Sequence, residues 1–220
     1  MLEKIFQKIH FDWKIVTITI ISTLLLMIDA YHFPLAPWET WFPSWVETGL
    51  SMKVIDRTIL YFLVPMLIIV IFFREKPSSY GFTFGDWKAG LVITLAGILL
   101  IAPVLWFVGR GDASMQNYYQ SQIGGLPWNT LLDLFGWEFI FRGWILFGYA
   151  RKFGPEALWL QAVPFALAHI GKPELETLST IFGGFAFGWV AYRTKSFVYP
   201  LVIHWFVSSF TIIVAAGLLG

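Results

Sequence analysis

Long apolar runs dominate the chain, and polar residues gather between them rather than alternating within them. A helix needs about 20 mostly apolar residues to cross the hydrocarbon core of a bilayer. Runs of this kind fall at about 15–32, 57–73, 88–108, 128–150, 155–169, 177–192 and 197–219. The pattern predicts an all-α, multi-pass integral membrane protein with about seven transmembrane helices, the fifth and sixth of them short. The stretch 33–56 carries Pro34, Pro37 and Pro43, several tryptophans and few charges. It reads as a segment lying against the bilayer interface, with room for a further half-span. No internal repeat or extramembrane domain is visible, so function must sit in the membrane or in short loops.

Composition agrees. Of 220 residues, 57% are hydrophobic and only 13% charged, about half the charged fraction of a soluble domain, and the mean hydropathy is +0.68. A net charge of +1 gives no reason to expect nucleic-acid binding. The chain has no cysteine, which excludes disulfides, thiolate metal sites and a cysteine nucleophile. Twelve Trp and 22 Phe suit aromatic belts at both interfaces.

Cytoplasmic loops retain Lys and Arg. In a seven-span arrangement Lys4, Lys8, Lys14, Arg74, Lys76, Lys88, Arg151, Lys152, Arg193 and Lys195 share one side, and Lys53, Arg57, Arg110 and Lys172 the other. The N-terminus is therefore expected in the cytoplasm and the C-terminus outside. The first 14 residues read as an interfacial lead-in rather than a signal peptide.

Ionisable residues inside spans cost about 2.5–3.5 kcal/mol each on insertion scales and persist where they are paired, wet or useful. The first three spans carry almost none, with Asp29 and Arg57 near their ends, whereas the last four carry Asp133, Glu138, Arg142, His169 and His204. This divides the chain into an N-terminal membrane scaffold, 1–126, and a polar-cored four-helix unit, 127–220. Glu138 and Arg142, four apart, stack on one helix face as an ion pair that either pins the bundle or serves a site. Two histidines on neighbouring polar helices tilt the balance toward a site. Other features read as packing: Gly183, Gly184 and Gly188 as a small-residue helix face, Gly171-Lys172-Pro173 as a helix stop and turn, and Asp133 as a residue near the outer interface.

Glu138-x-x-x-Arg142-Gly143, Phe165-x-x-x-His169 and His204-x-x-x-Ser208, in that order on successive helices, resemble the CPBP family. These are the CAAX-protease and bacteriocin-processing membrane proteins, also called Abi. The resemblance covers about 130–210. It departs from the family pattern in two places: the family's first Glu, which activates water, aligns with Trp137, and the usual Asn four residues after the last His is Ser208.

The resemblance implies intramembrane hydrolysis of a peptide bond, in a peptide or C-terminally lipidated protein, without a covalent intermediate. Glu138, or Glu138 with Glu176, would activate water; His169 would orient it or shuttle its proton. His204 and Ser208 would hydrogen-bond the oxyanion, and Arg142 would hold Glu138. No cofactor is implied, although two His and one Glu make a ligand set that zinc uses, so a zinc site is the competing chemistry. The alternative function is a catalytically inactive scaffold or immunity factor binding a peptide or membrane partner, which Trp137 favours; a proton-relaying transporter is a third reading. Counted along separate helices, Glu138 lies about 16 Å from the outer side and His204 about 10 Å from the inner end of its own helix. His169 falls near the outer end of its span. Those depths do not coincide, which leaves a re-entrant 153–176 region, slipped boundaries or a split cluster as the choices.

Overall fold

The structure, a computed structural model, describes residues 10–31 and 51–219. The described residues are helical, with no strands among them. Helix α1 is Trp13–Tyr31, α2 Met52–Phe72, α3 Trp87–Gly111 and α4 Ala113–Gln120. A long helix α5 (128–153) joins Trp128–Glu138 to Leu146–Phe153 through a π-helical segment, Phe139–Ile145. Helix α6 is Ala157–Leu167, α7 Glu174–Thr194 and α8 Val198–Ala215.

Helices occupy each of the seven predicted stretches, and four of them, α1, α2, α3 and α8, are long and apolar enough to cross a membrane. The other three owe their character to position. At 11 residues, α6 reaches only about 16 Å, short of a ~30 Å core. Helix α7 begins with Glu174 and Glu176, and α5 carries charge through the centre of the molecule. Two further differences concern boundaries. Helix α2 starts at Met52, five residues before the predicted 57, and the short α4 was not predicted. The interfacial segment expected at 33–56, and Lys4 and Lys8 of the lead-in, fall largely outside the described residues.

The core is built on α5, where every side chain from Phe139 to Ile145 is buried. Trp144 stacks on Phe73 and Tyr80, with ring centroids 5.6 and 6.0 Å away, and its indole donates to Ser22 Oγ of α1 at 3.0 Å. Phe139 packs against Phe62 and Phe197, tying α5 to α2 and to the start of α8. The apolar side chains left outside, such as Leu91, Val92, Leu95, Leu99 and Phe107 on α3, form a face suited to lipid.

Close helix approach depends on small residues, as expected for α7. A Cβ at Gly184 would lie 2.9 Å from Phe165 and 3.1 Å from Ala162, and one at Gly188 only 2.5 Å from Gln161 Nε2. Gln161, fully buried, spans this seam by donating to Gly184 O at 2.7 Å. Gly183, expected on the same face, has open space beside it, because one residue along a helix turns the side chain about 100° away. Helices α3 and α8 use the same device in a parallel pair: Gly90 faces Tyr199, Gly97 faces Ile203 and Gly109 faces Val214.

At one end of the bundle Glu75 gathers three elements. It accepts from Lys14 Nζ of α1 at 2.6 Å, from Arg151 of α5 and from the Tyr80 hydroxyl at 2.7 Å. Burial pushes the Glu75 carboxyl up, but the hydrogen bonds from Arg151, Lys14 and Tyr80 outweigh it and bring the group down to about 2.

Replacing Gly184 with Leu should cost about 1–3 kcal/mol through overpacking, whereas Gly183→Ala should leave stability unchanged; thermal melting in detergent compares them. A second measurement follows from Glu75, whose folded-state value lies below the 4.5 of a free glutamate. Its stabilisation is fully present above that value and is lost as pH falls toward about 2. Glu75→Gln should therefore lower stability by about 1–3 kcal/mol at pH 7 and by progressively less on acidification.

Candidate active site

Glu138 is the last residue before the π-helical segment, and Arg142 lies within it. Both are fully buried. Arg142 Nη1 approaches Glu138 Oε1 to 3.3 Å, a charge contact without hydrogen-bond geometry. Its guanidinium instead lies over aromatic faces, 4.0 Å from the Phe165 ring centre and 5.2 Å from that of Phe187. Aromatic faces and the neighbouring carboxylate are what a buried guanidinium can use in place of water. A π-helical turn at charged residues in a core is of the kind often found at functional sites.

His204 comes from α8 and reaches the same carboxylate: its Nδ1 donates to Glu138 Oε1 at 2.6 Å. The sequence-level depths are thus reconciled, because residue counts along separate axes carry no information about tilt. His169 sits in the turn after α6. Its Nδ1 donates to Phe165 O at 2.7 Å, and Thr177 Oγ1 at the start of α7 donates to its carbonyl at 2.9 Å. The turn forms as expected, with Gly171 in the left-handed region at φ +99° and Pro173 capping α7. With Nδ1 committed as donor in both rings, Nε2 carries the lone pair in the neutral imidazoles.

A cavity of about 1030 Å³ connects these residues to the surface. His169, His204, Ser208 and Trp137 line it, whereas Glu138 and Arg142 stand behind the wall. Glu138 itself is not among the lining residues and is linked to the cavity wall through its hydrogen bond with His204. Glu176 is not joined to Glu138 but accepts from the Tyr119 hydroxyl at 2.6 Å and from Lys172 Nζ at 2.7 Å.

Residues 119–210 match the family model of the type II CAAX prenyl endopeptidase Rce1-like proteins. The match is consistent with membership of the CPBP family. It runs from the end of α4 into α8, and includes Glu138, Arg142, His169, Glu176, His204 and Ser208. Comparison with curated proteins and with solved structures finds no match.

Trp137, at the position of the family's first Glu, is held firmly. Arg57 lies with its guanidinium carbon 4.3 Å from the indole ring centre, and the ring meets His169 edge to face at 5.5 Å. Arg57 is in turn bound by Asp133 at 2.8 and 3.0 Å and by Asp29 at 3.2 Å. Asp133 lines the cavity as a partner of Arg57 and Lys53, since a partly buried arginine needs an opposite charge beside it. Sequence reasoning had noted Arg57 and Asp29 only as charges near span ends; that placement, opposite in sign on consecutive spans, was the available signal. Among the described residues no group of three His, Asp or Glu could hold a metal ion: the Glu138 and His204 atoms that meet are spent on each other.

Removing Glu138 while keeping Arg142 strands a buried cation. Glu138→Leu should lose about 3–5 kcal/mol, and Glu138→Leu combined with Arg142→Leu should recover a large part of it. Chemical denaturation in detergent micelles would show a double variant no better than the single if the pair carried no coupling.

Proposed function

We propose that the protein is an intramembrane endopeptidase of the CAAX prenyl protease type, hydrolysing a peptide bond with activated water. The observation that carries this reading is the 2.6 Å hydrogen bond from His204 Nδ1 to Glu138 at the wall of a large cavity. A carboxylate behind an imidazole fixes its tautomer, orients it and stabilises the imidazolium that forms when Nε2 takes a proton. His204 is the general base. The hydroxide so formed adds to the scissile carbonyl carbon, and the imidazolium returns the proton to the leaving amine nitrogen as the C–N bond breaks. His169, with its Nε2 lone pair, orients the water, and the Ser208 hydroxyl donates to the developing oxyanion. Arg142 holds the charge of Glu138 in place. No metal enters this scheme.

The cavity joins apolar side chains such as Leu26, Met27, Leu134 and Leu167 to the charged group of Lys53, Arg57 and Asp133. A peptide or C-terminally lipidated protein is the substrate class that such a lining accommodates. The protein works as a multi-pass membrane protein whose seven predicted stretches cross or enter the bilayer, with a cytoplasmic N-terminus and a 127–220 unit that carries the site on the 1–126 scaffold. The parallel α3–α8 pair fits this arrangement, since an odd number of crossings between two helices leaves them parallel.

A second reading has its own observation. Trp137 closes the wall where the family places a carboxylate, and Glu138 does not line the cavity; a peptide-binding scaffold without turnover would have this geometry.

Peptide cleavage by the purified full chain separates the two. Glu138→Gln and His204→Ala should each lower turnover by about 10²–10⁴-fold, with the double variant no worse than the singles and wild-type turnover unchanged by a chelator. Wild-type rates in either variant, or peptide binding without cleavage, would replace the enzyme by the scaffold.

A further inference from the structure

The segment between α3 and α5 crosses the cavity as a strap. It consists of α4 and the 3₁₀ turn Ile123–Gly125, and Tyr118, Tyr119, Ser121, Gln122 and both glycines of that turn line the cavity. On one side it is fastened by packing: Met115 and Tyr119 bury themselves against Ile212 and Ala215 of α8. On the other side the fastening is polar, the Tyr119 hydroxyl donating to Glu176 Oε2 at 2.6 Å while Lys172 holds Oε1 at 2.7 Å.

We propose that the Tyr119–Glu176 hydrogen bond is a latch that holds the strap across the open cavity and sets how far its mouth widens to admit substrate, an inference that rests on the cavity being the hydrolytic site. Three observations support it. The latch joins the strap to the turn before α7, and beside it Gly124 and Gly171 carry no side chain and border open space. Tyr119 is built to donate, because burial and then the Glu176 charge push its phenol well above the ordinary tyrosine range. The latch also touches the site through one residue, since Thr177, next to Glu176, donates to the carbonyls of His169 and Lys172 at 2.9 and 3.2 Å. This gives Glu176 a role distinct from a second water-activating carboxylate.

The chain has no cysteine, so Ser208→Cys places a single thiol in the cavity wall. Its reaction with a water-soluble maleimide, in the purified full-length protein, reports opening. Adding Tyr119→Phe, which keeps the ring packing, should raise the labelling rate about tenfold or more, the loss expected for a hydrogen bond to a charged group. Glu176→Gln should raise it as well, though by less, since the amide still offers Tyr119 a neutral acceptor, and the double variant should exceed Tyr119→Phe by little. Thermal melting confirms that each variant is folded; if Tyr119→Phe melts early, Glu176→Gln is judged by the same rate. A folded latch variant that labels no faster than Ser208→Cys alone overturns the latch. The readout needs no turnover, so faster labelling in a protein that cleaves nothing would leave the latch standing and remove only the protease reading.

Discussion

A buried carboxylate shared by an imidazole and a guanidinium is the constraint around which the molecule is arranged. Glu138 and Arg142 have no access to solvent, and neither is affordable at that depth without the other. Meeting the demand takes side chains from several helices: His204 from α8 supplies the hydrogen bond, and Phe165 and Phe187, from α6 and α7, supply the faces on which the guanidinium lies. Removing any one helix would leave a charge facing hydrocarbon. The polar centre therefore specifies which helices must be neighbours, while the apolar side chains around it supply most of the attraction.

The surrounding packing keeps that centre in one arrangement. Trp144 and Phe139 bind α5 to α1, α2 and the beginning of α8, so the segment carrying the charges is anchored on both sides. Gly184 and Gly188 let α7 approach α6 closely enough for Gln161 to reach a backbone carbonyl across the seam. Close approach here also sets the distance from His169, after α6, to Thr177 in α7, and hence the position of the imidazole in the cavity wall. A second charged group, Arg57 with Asp29 and Asp133, braces Trp137, whose ring packs on His169 in the cavity lining. The same contacts thus shape the fold and the cavity lining, which includes His204 of one ionic group and Asp29, Arg57 and Asp133 of the other.

The parts of this architecture that were legible in the chain have short-range causes. The helical stretches follow from runs of apolar residues, the turn after His169 from Gly171 and Pro173, and the Glu138–Arg142 contact from a spacing of four. The motif residues could also be ordered and matched to a family pattern, because that pattern is local within each helix. What escaped has long-range or geometric causes. The pairing of Asp133 with Arg57 could not be read, because the two lie 76 residues apart. That His204 stands nearer the cavity than Glu138 could not be read either, because spacing says which side chains share a helix face, not which of two bonded groups lines a cavity. Likewise Glu176 could be picked out as an acid beside the motif, but not as the acceptor for Tyr119.

By itself the sequence determined that the chain forms apolar helices with surface for lipid, that the ionisable residues inside its predicted spans concentrate in the C-terminal unit, and which of them carry the family motif. Periodicity, hydropathy and spacing suffice for that, since each acts within a few turns of one helix. Only the tertiary structure decided that Glu138 meets His204, that His204 rather than Glu138 lines the cavity, and that Tyr119 closes on Glu176. Those outcomes depend on the tilt and rotation of helices about one another, which arise from packing among distant residues and leave no local trace in the order of the amino acids.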